Sequence, residues 1–147
     1  MIVPTKLHHL EEISIIENNS FKKPWSKIQI QSDIQSEMDS ENWVSILDEQ
    51  VVGYMFCRKI MDQYHLNNIA VHPDFICRRI GTQLMRHLIS ILISKRVYTI
   101  LLEVSVKNIP AIKFYQSFGF TSEGTRKNYY AQGENAVLFN LSITKND

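Results

Sequence analysis

The sequence predicts an α/β chain of the α+β kind, with a mixed, mostly antiparallel central sheet flanked by helices. Three observations lead there. The runs Trp43 to Leu47 and Val51 to Ile60 are apolar, aromatic and β-branched. Only Asp48-Glu-Gln50 separates them, so they read as a β-hairpin, and Tyr64 to Val71 follows as a third strand. Ile80 to Ser94 then changes period: Leu84, Leu88, Ile91 and Leu92 form one stripe, with Met85 and Ile89 beside it, as on the buried face of a helix. Val97 to Val104 is apolar on both faces, the mark of a central strand covered on both sides. A helix from Asn108 to Phe118 and two strands, Phe120 to Arg126 and about Asn135 to Ile143, complete the chain. The order is a leading helical section followed by β-β-β-α-β-α-β-β, which mixes antiparallel and parallel pairing.

In the leading section, Leu7, Leu10, Ile13 and Glu17 fall at helical spacing, and Ile15 and Ile16 broaden the apolar face. Thr5 is a candidate cap for this helix, and Asn18-Asn-Ser-Phe21 ends it. Phe21-Lys-Lys-Pro-Trp-Ser26 reads as a loop, with Ser26 the N-cap of a second helix running to about Met38. His72-Pro73 ends the third strand. Asn108 caps the later helix, Pro110 lies in its first turn where a missing N–H costs little, and Gly119 is a natural stop.

Composition narrows the function. A chain of 147 residues, 44% hydrophobic and 21% charged, suits one globular domain from end to end. A formal net charge of +1 gives no global electrostatic case for nucleic acid or membrane surfaces. Two cysteines, Cys57 and Cys77, are too few for a disulfide framework. No signal peptide or membrane span is expected, so a cytoplasmic protein is the default, and a monomer the default state. Five glycines in no cluster exclude a Walker loop or dinucleotide fingerprint, and the histidines show no metal-ligand spacing. No Gly-x-Ser-x-Gly elbow occurs.

Two features carry chemistry. Leu66 to Thr82 runs from strand through a Pro-marked turn and a basic loop into the start of the long helix. Main-chain N–H groups at a helix start lack partners and attract anions, phosphate in particular, and Arg78 and Arg79 stand at the rim. Glu103 is the single carboxyl in the apolar run 97–104. A buried carboxylate is costly unless partnered or functional, which makes Glu103 a candidate general base; the plainer reading is a glutamate that reaches solvent or a salt bridge.

These segments, with Asn108-x-x-Ala111-x-x-Phe114-Tyr115-x-x-x-Gly119-Phe120, resemble the Gcn5-related N-acetyltransferase family. Phe21-x-x-Pro24-Trp25-Ser26, Asn68-Ile-Ala-Val-His-Pro-Asp74, Leu102-Glu-Val104 and Arg126-Lys-Asn-Tyr-Tyr130 resemble, within it, the ribosomal-protein-alanine N-acetyltransferases of bacteria. The resemblance implies acetyl-CoA as co-substrate, no metal, and an acetyl group moved to the N-terminal alanine amine of a small-subunit ribosomal protein. It implies a splayed strand pair forming the acetyl-CoA cleft, with Ile69, Ala70 and Val71 pairing to the pantetheine arm. Cys77, Arg78, Arg79, Ile80, Gly81 and Thr82 would cradle the pyrophosphate and Asn108 would hydrogen-bond the arm. Glu103 would be the base and Tyr115 the acid that protonates the departing thiolate. Trp25, Tyr54, Tyr64, Tyr129 and Tyr130 are candidate linings for the peptide, with ordinary aromatic packing the plainer reading of each.

The family pattern around the phosphates is Gln or Arg, two residues, Gly, one residue, then Gly or Ala. Here those places hold Ile76, Arg79 and Gly81, so an arginine stands at the first glycine, where it either crowds the phosphates or pairs with one. Likewise, Ser105 and Asn135 stand where relatives often carry arginine and aspartate. The other readings are acetylation of a small amine, or a degenerate domain that binds CoA or an acylated peptide without turnover.

Overall fold

The structure is a computed structural model that describes residues 1–131 and 134–143, with side chains described up to Thr125 and again from Glu134. The elements are β1 (Ile2–Pro4), a 3₁₀ turn (Leu7–His9), α1 (Leu10–Ser20), α2 (Lys27–Ile34), β2 (Ser40–Leu47), β3 (Gln50–Ile60) and β4 (Gln63–Val71). A second 3₁₀ turn (Pro73–Phe75), α3 (Ile80–Ser94), β5 (Thr99–Ser105), α4 (Ile109–Ser117), β6 (Thr121–Ala131) and β7 (Glu134–Ser142) follow. One seven-stranded sheet has the order β1-β2-β3-β4-β5-β7-β6. Pairing is antiparallel for β1–β2, β2–β3, β5–β7 and β6–β7, and parallel for β4–β5, where Tyr64 faces Ile100 and His65 faces Leu101. The predicted mixed, mostly antiparallel sheet with flanking helices is the fold observed.

Contacts group the chain into two compact units, Met1–Lys59 with Leu66–Ile91, and Ile60–His65 with Leu92–Asp147. In the first, Ile13 and Ile16 of α1, Ile30 of α2, Val44 of β2, and Val51, Tyr54 and Phe56 of β3 share one core with Ala70 of β4. Glu12 reaches from α1 to accept the Val51 N–H at 2.8 Å. The α3 stripe is buried as its period requires, with Leu84, Met85 and Leu88 fully enclosed. Gly53 allows this helix to come down onto β3: a Cβ there would lie 2.9 Å from Ile80 Cγ2 and 3.3 Å from the Ala70 carbonyl oxygen.

In the second unit, Ile100, Leu102 and Val104 of β5 are buried with Phe139 and Leu141 of β7. Tyr115 of α4 packs edge-on to Phe120 at 5.6 Å and tilted against Phe139 at 6.3 Å. Gly119, at φ 96, ends α4 in the left-handed region as expected of a stop glycine.

Several expectations change. β1 was not expected; it is three residues long and exists by pairing with Trp43–Ser45 of β2. The first helix opens as a 3₁₀ turn held by the Lys6 N–H donating to His9 Nδ1 (2.9 Å), whereas Thr5 makes no cap and its buried hydroxyl has no hydrogen-bond partner. Ser26 does cap α2, accepting from the Gln29 N–H at 3.1 Å, but the helix stops at Ile34 and not near Met38. There the Asn42 side chain takes the Asp33 carbonyl (3.2 Å), and the Ser36 hydroxyl accepts the Met38 N–H in a local turn that competes with helix. β5 alternates buried and half-exposed residues, so it is not covered equally on both faces.

Candidate active site

The candidate residues fall in two stretches. The first is the end of β4 with the turn and loop behind it. Ala70 is buried, with Ile69 and Val71 half-buried on either side. The His72 N–H donates to the Val52 carbonyl at 2.8 Å, which fixes the strand end to β3. His72 Nδ1 then accepts the Asp74 N–H (3.1 Å), and the Phe75 N–H returns to the His72 carbonyl (2.9 Å), closing the 3₁₀ turn. The His72 and Phe75 rings meet edge to face at 5.4 Å, and the Arg78 guanidinium lies over the Phe75 ring at 5.1 Å.

Past this turn the main chain enters the left-handed region twice, at Cys77 (φ 70) and Arg79 (φ 62). Residues 76–79 are exposed and Ile80 is buried, so the loop stands out while the helix start is anchored. The Gln83 N–H donates to the Arg79 carbonyl at 3.0 Å, the first bond of α3. The N–H groups of Ile80, Gly81 and Thr82 precede that bond and are available to an anion at the positive end of the helix dipole. Left-handed residues in such a loop turn main-chain N–H groups into a concavity suited to phosphate. The loop therefore fits the diphosphate of CoA even with arginine in a glycine's place.

The second stretch is β5 with the start of α4. Glu103 pairs across the sheet with Leu138 and lies on the half-exposed face of β5 with Thr99, Leu101 and Ser105. This corrects the picture of a carboxyl sunk in a strand covered on both sides: the alternation of β5 puts Glu103 on the face that can be reached. Ser105 closes the turn after the strand, donating from its hydroxyl to Glu134 (3.1 Å) and accepting the Lys107 N–H (3.2 Å). Asn108 Oδ1 accepts the Ala111 N–H at 3.3 Å, so Asn108 caps α4 with Pro110 in the first turn. Tyr115, about two turns beyond Asn108, is 8% exposed, with Phe114 at 5.4 Å as well as Phe120 and Phe139 around its ring.

The profile of the acetyltransferase (GNAT) family matches residues 8–120, spanning both stretches. The chain belongs to the acetyltransferase (GNAT) family. The ribosomal protein bS18-alanine N-acetyltransferase of Salmonella typhimurium is 40% identical over 100 residues, 66% of this chain and 68% of that protein. The corresponding Escherichia coli enzyme is 33% identical over 132 residues, 88% of each chain. The crystal structure of the E. coli ribosomal-protein-S18-alanine N-acetyltransferase superposes with a TM-score of 0.91 at 31% identity, covering 98% of this chain and 94% of that one. A GNAT acetyltransferase uses acetyl-CoA, and this chain is an acetyl-CoA-dependent N-acetyltransferase.

Within this GNAT chain, the structure separates the aromatic candidates for the acceptor. Trp25 is half-buried, with its ring 6.1 Å from Phe56. Tyr54 is 0% exposed and its hydroxyl is held by Glu17, so it lines nothing; Tyr64 is equally enclosed, with Lys95 Nζ 3.4 Å from its hydroxyl. Tyr129 and Tyr130 lie in β6, but their side chains fall outside the described residues. Burial pushes the Cys57 thiol well above its usual range, with the Glu41 charge adding to this, so Cys57 stays protonated and is no nucleophile. Among the described residues, no group of three or more His, Cys, Asp or Glu could hold a metal, and no helix is long and apolar enough to cross a membrane.

Two further residues, Gly53 and Glu17, were not among the site candidates that the sequence offered. Gly53 sets how closely α3 and Ala70 approach β3. Glu17 is buried on the apolar face of α1 and accepts three hydrogen bonds. Its signal was a carboxyl at a stripe position of the helix.

Proposed function

We propose that the chain acts as a single acetyltransferase domain in the cytoplasm, moving acetyl to the α-amine of a protein N-terminus, the N-terminal alanine of the small-subunit ribosomal protein bS18. The observation that carries this reading is the name and reach of the relatives: the E. coli bS18-alanine N-acetyltransferase aligns over 88% of the chain, and its crystal structure covers 98% of the chain with a TM-score of 0.91.

Acetyl-CoA supplies the activated acetyl thioester. Ile69, Ala70 and Val71 hold the pantetheine arm through main-chain groups, as a strand edge holds an added strand. The loop Cys77, Arg78, Arg79, Ile80, Gly81 and Thr82 holds the diphosphate through N–H groups, with the arginines adding charge. Asn108 keeps its cap and hydrogen-bonds the arm with its remaining capacity. A free α-ammonium group ordinarily titrates at about 7.7–8.0, so a proton must leave before the amine attacks. Glu103 takes it, directly or through water, from the reachable face of β5. Tyr115 returns a proton to the departing sulfur. Transfer is direct, without an acyl-enzyme, and alignment of amine and thioester is the largest catalytic contribution.

Release of free thiol from acetyl-CoA and a peptide beginning with alanine tests this. Turnover with that peptide and not with polyamines supports the reading. Turnover with small amines alone replaces the acceptor. A chain that binds CoA and turns over neither is the binding domain that Ile76 and Arg79 suggest.

A further inference from the structure

Glu17 stands on the apolar face of α1 at 2% exposure. A carboxyl group there is tolerated only if its oxygens are hydrogen-bonded. Oε1 accepts from the Tyr54 hydroxyl of β3 at 2.5 Å and from Asn68 Nδ2 of β4 at 2.6 Å. Oε2 accepts from the Trp25 main-chain N–H at 2.9 Å. The three donors come from three separate segments, and each is a neutral group.

The two outer donors belong to β4 and to the loop before α2. Asn68 directly precedes Ile69–Val71, the segment assigned to the pantetheine arm. Trp25 directly precedes Ser26, whose hydroxyl caps α2. A carboxyl with both oxygens engaged by donors of its own chain is built to hold those donors and not to abstract a proton. Tyr54 is the rigid post of the arrangement: it is fully buried, and burial together with the Glu17 hydrogen bond and charge keeps its hydroxyl protonated.

We propose that Glu17 is a positioning residue for the amine acceptor, fixing the Trp25 loop against β4 so that the incoming N-terminus lines up with the thioester. This rests on the acceptor reading above and takes half-buried Trp25, a candidate lining for the peptide, as part of the acceptor side. The residue type follows from the hydrogen-bond inventory, since three donors converge and a carboxylate offers only acceptors. A glutamine restores all three contacts only if its NH₂ faces Tyr54 and Asn68, with the hydroxyl rotated and the Asn68 amide flipped. An alanine restores none.

The test compares wild type, Glu17→Gln and Glu17→Ala in steady-state kinetics with an alanine-led peptide. Trp25 fluorescence quenching by acrylamide is measured alongside, in a Trp43→Phe background. Glu17→Ala should raise the peptide KM about tenfold, the equivalent of one strong hydrogen bond, while the acetyl-CoA KM stays within about twofold. Trp25 should become more quenchable, Glu17→Gln should recover most of the loss, and the shape of the pH profile should not change. A folded Glu17→Ala with wild-type peptide KM and quenching overturns the proposal, as does an equal rise in both KM values. If Glu17→Ala does not fold, Tyr54→Phe and Asn68→Ala each remove one donor, and an unchanged peptide KM in both overturns it. Wild type without turnover of any peptide overturns the acceptor reading itself, which separates that failure from a Glu17 variant that behaves as wild type.

Discussion

Replacing Gly53 by alanine perturbs the point where α3, β3 and β4 come closest. The added Cβ would lie 2.9 Å from Ile80 Cγ2, 3.3 Å from Leu84 Cδ1 and 3.3 Å from the Ala70 carbonyl oxygen. Apolar carbons settle at about 3.5–4.0 Å, so Ile80 must retreat by about 0.6 Å. Its Cγ2 hangs on the β-carbon, and a β-branched side chain in a helix has essentially one χ1 rotamer. The retreat therefore falls on the main chain at the start of α3, while Leu84 and Ala70 close the other directions. Overpacking of this kind costs about 1–3 kcal/mol, and alanine for glycine returns about 0.4–1 kcal/mol by restricting the unfolded chain. The net is a destabilisation of about 1–2 kcal/mol, read as a lower urea midpoint at constant slope. Because Ile80 and Ala70 both belong to segments assigned to acetyl-CoA, the acetyl-CoA KM should rise by about tenfold or less while the peptide KM moves little. A Gly53→Ala protein as stable as wild type, with an unchanged acetyl-CoA KM, would refute the claim that this close approach shapes the loop.

Glu103→Gln should lower kcat/KM by about 10²–10⁴ across pH 6 to 9, whereas a retained value removes Glu103 as the base. Tyr115→Phe keeps the ring packed on Phe114, Phe120 and Phe139 and should lower kcat with little change in Tm. Arg79 adopts φ 62, so Arg79→Gly should stabilise the fold by about 1 kcal/mol in denaturant; a rise in acetyl-CoA KM then shows that the guanidinium binds phosphate, and a fall shows that it crowds the site. Burial lowers the pKa of His87, opposed in part by Glu41, and of His9, where the neighbouring His8 adds to the effect. Below the ordinary value of 6.5 the unfolded chain takes up protons that the folded chain refuses, so stability should fall as pH drops, and His87→Phe should flatten that slope in unfolding measurements. At the other limit, burial holds the Cys57 thiol and the Tyr54 hydroxyl protonated past their ordinary 9.0 and 10.0. The unfolded chain loses those protons first, so stability should decline above pH 9, by up to about 1.4 kcal/mol per pH unit for each group, and Cys57→Ala should remove the first part of the decline.

What was legible in the chain was whatever is encoded within a few residues. The α3 stripe has helical period over four turns, and its limits, Ile80 and Ser94, emerge unchanged in the structure. Ser26, Asn108 and Gly119 act through neighbours two or three positions away, and each does what its local sequence implies. What was not legible depended on distant partners. β1 needs β2 beside it, and α2 ends early because Asn42 arrives from β2 to take a carbonyl. Tyr54 looks in sequence like any aromatic that could line a groove, yet it is sealed in by α1. Glu17 shows the division within one residue. Its oddity, a carboxyl on an apolar stripe, is plain from a helical period, but its donors lie 8, 37 and 51 positions along the chain. A reading by periodicity detects that such a charge must be answered, and only the folded β3 and β4 show what answers it. The same limit applies to Arg79. A missing glycine is visible as a letter, but the φ of 62 shows that the loop keeps a glycine-like main chain around an arginine, so the change falls on the side chain and not on the path of the loop.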